Sequence, residues 1–307
     1  MLADSFAHAL CCVGLWRGDA PMVEGNFDRD RFKREQRQSW DAAAPGWEKW
    51  WPLFDVGARP VAERLVELAR VAPGCRVLDI ATGTGEPAIT AARRVGPGGY
   101  VLGIDQSAGM LEVARRRAAT LGLGNVEFRQ GDAESLAFEP HSFDAVLCRW
   151  GLMFVPDLDA AARGVKNALV EGGWFATAVW ATPDKVPMLG IAAEAVRKIA
   201  ELPAPAGPSF DPSRLGDTSI LEGVLGRAGF RDLTIERLMV RFDFESAQAF
   251  LQSRLDLSAP FRAMVASKPA DVQRRILDSV VSAAREYADG EGRIRTNNES
   301  IQFAARA

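Results

Sequence analysis

The stretch VLDIATGTGEPA, from Val77 to Ala88, constrains the fold more than any other part of the chain. An unbroken apolar run ends in an acid, glycines follow at 83 and 85, and Pro87 opens a helix-prone segment. Apolar runs without alternation are strands buried on both faces, which is the signature of a parallel sheet. The pattern recurs. CRVLDIA (75–81), GYVLGID (99–105), VEFRQGD (126–132), FDAVLCRW (143–150) and GGWFATAVW (172–180) read as strands. Helical spacing fills 86–95, 107–122 and 157–170 between them. Ser107 and Asp157 read as N-caps, and Pro87 occupies a first turn where a missing N–H costs nothing. Strands alternating with helices predict an α/β fold with a doubly wound, mostly parallel sheet, whose ligands bind at the carboxyl edge of the strands.

The flanks carry a different rhythm. Residues 1–27 read as an N-terminal extension, poorly ordered, with translation expected to start near Met22. Residues 28–72 predict helices over 28–40 and 59–72, the second ended by Pro73-Gly74, which help cover the active site. Residues 73–307 form the core domain, with helical cap insertions near 181–217 and 246–288. A helix over 188–201, a helix over 218–229, and strands over 233–242 and 299–306 complete the expectation.

A glycine turn after a strand usually cradles a nucleotide, and a nicotinamide dinucleotide is the first candidate. Asp79 argues against it, because a carboxylate beside the turn repels pyrophosphate and attracts a cation. S-adenosylmethionine offers an ammonium and a sulfonium and no phosphate. Asp105, about 20 residues past Gly85, stands where an acid accepts ribose hydroxyls, and Asp132 stands where one accepts the adenine amino group. Each residue has a plainer reading when taken singly: a tight turn for the glycines, a helix cap or a surface acid for the aspartates. It is their joint spacing on three successive strands that points to the sulfonium nucleotide.

Composition narrows the partners. Net charge is −3, so no electrostatic attraction to nucleic acid is expected. No apolar run suits a membrane span. The two histidines and four scattered cysteines build no metal site and suggest a reducing, cytoplasmic location.

VLDIATGTGEPA, GIDQSAGML, GDAESLAF and SFDAVLCRWGLMFVPD together resemble the class I S-adenosylmethionine-dependent methyltransferases, within them the ubiquinone/menaquinone-biosynthesis branch and its small-molecule relatives. The resemblance spans about residues 36–180. It implies a seven-stranded sheet with an antiparallel last strand, and S-adenosylmethionine as cofactor. By position, Asp79, Ala81, Gly83 and Gly85 would hold the methionine part; Asp105 and Gln106 would face the ribose; Met110, Asp132 and Ala133 would flank adenine. Arg149 and Trp150 would lie near the transferred methyl.

Methyl transfer is an in-line displacement that needs alignment and exclusion of water. His141 precedes the fourth strand and lies at the wrong end of the sheet, and His8 lies in the extension. Arg149 and Asp157 are the catalytic candidates, with a structural ion pair and an N-cap as their respective alternatives. An acceptor that ionises readily or carries a lone pair is therefore expected. Trp40, Trp47, Trp50, Trp51, Trp150, Phe154 and Phe210 suggest a small apolar or aromatic acceptor, the first two and Trp150 and Phe154 lining its site; core packing is their alternative use. The expected function is methylation of a small molecule at carbon, oxygen or nitrogen. The rivals are an NAD(P)-dependent oxidoreductase and a non-catalytic S-adenosylmethionine-binding sensor or scaffold. A homodimer is compatible with the chain.

Overall fold

The structure is a computed structural model that describes residues 28–199 and 211–307. The expectations for residues 1–27 and for Phe210 lie outside the described residues. The chain divides into two compact units. One comprises residues 58–181, 215–240 and 299–307; the other takes in the described parts of 1–57, 182–214 and 241–298.

The elements in chain order are α1 (Arg29–Leu68), β1 (Arg76–Ile80), α2 (Ala88–Val95), β2 (Tyr100–Asp105), α3 (Ala108–Thr120), β3 (Val126–Gln130), β4 (Phe143–Arg149), α4 (Leu158–Ala168) and β5 (Leu169–Trp180). Then come α5 (Pro187–Ile199), α6 (Thr218–Arg227), β6 (Arg231–Phe244), α7 (Ala247–Leu257), α8 (Ala259–Ala266), α9 (Ala270–Ala284) and β7 (Ile294–Arg306). The seven strands form one sheet in the order β3-β2-β1-β4-β5-β7-β6. β1 to β5 run parallel, and β7 pairs antiparallel with β5 from Trp174↔Arg306 to Trp180↔Ser300. The doubly wound sheet and its antiparallel last strand are as expected. The strand order reverses between β1 and β4, and open α/β sheets bind ligands at such a point.

Burial explains the apolar runs. Val77, Leu78 and Ile80 on β1 and Val146 and Leu147 on β4 are fully buried, as strands covered on both faces require. Ser107 Oγ accepts from Met110 N at 3.1 Å, so it caps α3 as the sequence suggests.

α1 departs from expectation. The two predicted helices are a single helix of 40 residues that runs through Pro45, Pro52 and Pro60. Each proline removes an N–H donor, but burial of Phe54, Ala58, Val61 and Leu65 at helical spacing holds the helix together. It also stops before Pro73-Gly74. Val71 N donates to Val66 O and Arg70 N to Glu67 O, with Arg70 at φ 53°, which is a Schellman ending built on a non-glycine residue. The Arg70 guanidinium lies 4.1 Å from the centre of the Trp174 ring, a cation–π contact that favours this placement. Pro87 is likewise outside α2, as the residue before its first turn.

Candidate nucleotide site

The loop after β1 alternates between left-handed and ordinary backbone. Ala81, Gly83 and Gly85 have φ of 53°, 55° and 101°. Successive residues of opposite hand turn their N–H groups toward one concavity. A Cβ on Gly83 would meet no atom within 4 Å, so that side of the loop is open. A Cβ on Gly85 would come within 3.1 Å of Ala114 Cβ, which holds the loop against α3.

Two aspartates organise this loop. Asp105, at the end of β2, accepts from Gly83 N at 2.8 Å through Oδ2 and from Ser107 N at 2.9 Å through Oδ1. These two bonds fix the carboxylate at the end of β2, against the glycine loop. Asp79 behaves differently from the expectation that it simply presents charge to a ligand. It is fully buried, and its Oδ2 accepts from Thr82 Oγ1 at 2.5 Å and from Ala88 N at 2.9 Å. It thereby caps α2, whose preceding residue, Pro87, makes no side-chain cap bond. Its Oδ1 is buried and has no partner among the described residues. Burial raises the Asp79 pKa to about 7, opposed by the Thr82 and Ala88 bonds and by the charge of Arg149. The structure corrects the role of Asp79 without removing it: half the carboxylate builds the loop and half is an orphaned acceptor.

Glu86 and Arg117 also hold the loop. Arg117 donates to Thr84 O and lies 3.3 Å from Glu86, and Thr90 Oγ1 donates to Glu86 at 2.6 Å. Neither residue stands out in the sequence, because Arg117 joins the loop from 31 positions past Glu86. Past β3, Asp132 Oδ1 accepts from Glu134 N, an Asx turn that fixes its carboxylate beside half-buried Ala133. Gln106 is half-buried, and its carbonyl accepts from Gln130 Nε2. Met110, expected against adenine, is only 3% exposed, so its side chain packs in the core.

The end of β4 carries the second set of candidates. Arg149 lies 5.0 Å from the centre of the Trp150 ring. Trp150 adopts φ 58° and stacks on Trp180 with centroids 4.0 Å apart, and its Nε1 donates to Ser300 Oγ at 3.1 Å. Ser300 and Trp180 escape sequence reading because β7 returns to β5 only in the fold. A Cβ on Gly151 would stand 2.4 Å from Ala81 Cβ, so glycine here lets the ends of β1 and β4 approach. Asp157 is not a free base: its Oδ1 accepts from Ala160 N at 2.9 Å and caps α4. Half-buried Phe154 follows Trp150 in a 3-10 turn. Trp40 and Trp47 belong to the other unit, where their rings lie 6.4 Å apart. His141 sits before β4 and bonds Leu169 O, at the amino end of the sheet.

Asp79 on β1, Asp105 at the end of β2 and Asp132 two residues past β3 thus stand toward the carboxyl ends of three successive parallel strands, the first two holding the left-handed turn. Carboxylates can accept from hydroxyl, amino and ammonium donors, and they repel anions.

Comparison with known proteins places the chain among methyltransferases. A family model described as a methyltransferase domain matches residues 72–205. Aklanonic acid methyltransferase DauC of Streptomyces sp. (strain C5) is 34% identical over 145 residues, covering 47% of this chain and 64% of DauC. The ubiquinone/menaquinone biosynthesis C-methyltransferase UbiE of Ectopseudomonas oleovorans is 40% identical over 134 residues, covering 43% of this chain and 73% of that protein. The chain spans about half the length of the first curated relatives it matches. Among solved structures, a phosphoethanolamine N-methyltransferase of Haemonchus contortus in complex with S-adenosyl-L-methionine shares the fold, with a TM-score of 0.55 at 20% identity over 93% of this chain and 61% of that one.

Proposed function

The chain belongs to the S-adenosylmethionine-dependent methyltransferase family, and from that premise we propose that it transfers a methyl group from this cofactor to a small molecule. The observation that carries the reading is the orphaned, buried Asp79 Oδ1 beside the open turn at Gly83. A buried acceptor without a donor is costly, and a ligand ammonium would satisfy it. When bound, S-adenosylmethionine supplies an electrophilic methyl on sulfur.

In this reading Asp79 attracts the ligand's ammonium, and Ala81, Gly83 and Gly85 let the backbone approach the methionine part. Asp105, held by Gly83 N and Ser107 N, accepts the ribose hydroxyls beside Gln106. Asp132 accepts the adenine amino group beside Ala133. Trp150 forms a wall at the carboxyl end of β4 that excludes water, and Arg149 keeps positive charge beside Asp79. Phe154 follows that wall and would touch the acceptor. The nucleophile arrives already ionised or with a free lone pair, since Asp157 is committed to its cap and His141 lies at the far end of its strand.

The test is calorimetry with S-adenosylmethionine, S-adenosylhomocysteine and NAD, followed by mass spectrometry of products from phenols, amines, thiols and carbon acids. Binding of the sulfonium nucleotide without NAD binding, and a mass gain of one methylene on an acceptor, are expected. NAD binding in place of the sulfonium nucleotide would overturn the reading.

A further inference from the structure

The unit that contains α7 buries a positive charge that nothing described neutralises. Ala247, Phe250, Ser253, Arg254 and Leu257 form the buried face of α7. Arg254 is 8% exposed, and no carboxylate or carbonyl accepts from its guanidinium among the described residues. Ser253 Oγ is spent on Phe250 O. Asp256, two residues on, is already taken by Lys49 at 2.7 Å, by Trp50 Nε1 at 2.8 Å and by Gln252. Burial alone lowers the Arg254 pKa, to about 10. The guanidinium nitrogens are not among the fully enclosed polar atoms, so the charge can be reached from solvent and can take an anion from outside the chain.

Two further observations point to a ligand. Trp47 Nε1, a donor with no acceptor capacity, is buried without a partner in the same unit. Its neighbour Gly46 runs against α7: a Cβ there would lie 2.2 Å from Asp256 O. The face of α7 that carries Arg254 also carries one end of an aromatic cluster. Phe250, one turn earlier on the same face, packs edge-on against Phe244 at 5.1 Å, and Phe244 meets Trp50 at 6.4 Å.

We propose that this unit holds a binding site for the carboxylate of a small apolar molecule, with Arg254 as its fork and the aromatic side chains against its hydrocarbon part. The planar guanidinium matches a carboxylate bidentately, which an ammonium cannot do. The proposal goes beyond methyl transfer and does not depend on it.

The experiment uses the full chain loaded with S-adenosylhomocysteine. Benzoate, 1-naphthoate, 2-naphthoate and anthracene-9-carboxylate are titrated by calorimetry against their carboxamides. Each acid that binds should exceed its amide by about tenfold or more. Arg254→Met should abolish the preference, and Arg254→Lys should retain part of it. S-adenosylhomocysteine affinity should stay within about twofold in both variants. That last readout separates the two readings: loss of nucleotide binding in the native protein defeats the methyltransferase reading and leaves the acid preference standing. The site is overturned if no acid binds better than its amide, or if Arg254→Met keeps the native preference. Mass spectrometry then identifies a methylated acid as acceptor and an unchanged one as effector, and either outcome retains the site.

Discussion

Asp79 carries the sharpest consequence at the scale of a single residue. Burial lifts its pKa to about 7, above the ~3.9 of an exposed aspartate. Between these values the folded protein keeps a proton that the unfolded chain has released, so raising pH through this window withdraws stability, and the loss is complete above about 7. Asp79→Asn should remove that component. Denaturant unfolding from pH 4 to 7 should show the native protein losing on the order of 4 kcal/mol relative to the variant. A ligand cation at Oδ1 would pull the same pKa down, so nucleotide binding near pH 6.5 should release a proton. Calorimetry in buffers of different ionisation enthalpy measures this directly. At Asp105, replacement by asparagine removes the charge from the proposed ribose bonds. Affinity for S-adenosylhomocysteine should fall by about 1–3 kcal/mol, with the melting temperature checking that the loop remains folded. What is legible at this scale is residue type and spacing: the three acids, the glycines, and the caps at Ser107 and Asp157. Side-chain direction is not, because the loop's backbone hand turns half of the Asp79 carboxylate inward. Partners such as Arg117 and Ser300 become visible only after the chain has folded back.

Among the elements, α1 shows packing overruling local propensity. Its prolines and its glycines argue against a continuous helix, and sequence reasoning divides it accordingly. Gly46 has a reason in the structure, since its missing Cβ is what allows the backbone to meet Asp256 O. Gly46→Ala should therefore destabilise the fold by about 1–3 kcal/mol, although alanine is the better helix former by about 1 kcal/mol. Gly226 in α6 is the control. A Cβ there meets nothing within 4 Å and its φ is not positive, so Gly226→Ala should raise stability by up to about 1 kcal/mol. Urea titration of both variants distinguishes contact from propensity. The parallel strands are legible for the opposite reason: buried on both faces, they announce themselves as apolar runs. β7 is only partly so, since buried Thr296 and Asn298 interrupt its apolar character and set its apparent start at 299, not at Ile294. Asn298 has a use there, its Oδ1 accepting from Met188 N at the start of α5.

For the whole molecule, the balance of 37 basic against 40 acidic residues leaves a net charge of −3. Affinity for duplex DNA depends on neutralising phosphates and releasing counterions. Filter binding should show no retention at about 0.15 M salt, and a steep salt slope would contradict the small-molecule reading. The described residues contain no helix long and apolar enough to cross a membrane. The stacked indoles of Trp150 and Trp180, 4.0 Å apart and inclined by 16°, have an optical consequence. Excited states of rings so close couple, and they should give a paired positive and negative band in the ultraviolet circular dichroism spectrum. Trp180→Phe would erase that couplet, so the end of β4 reports its own geometry without any added label.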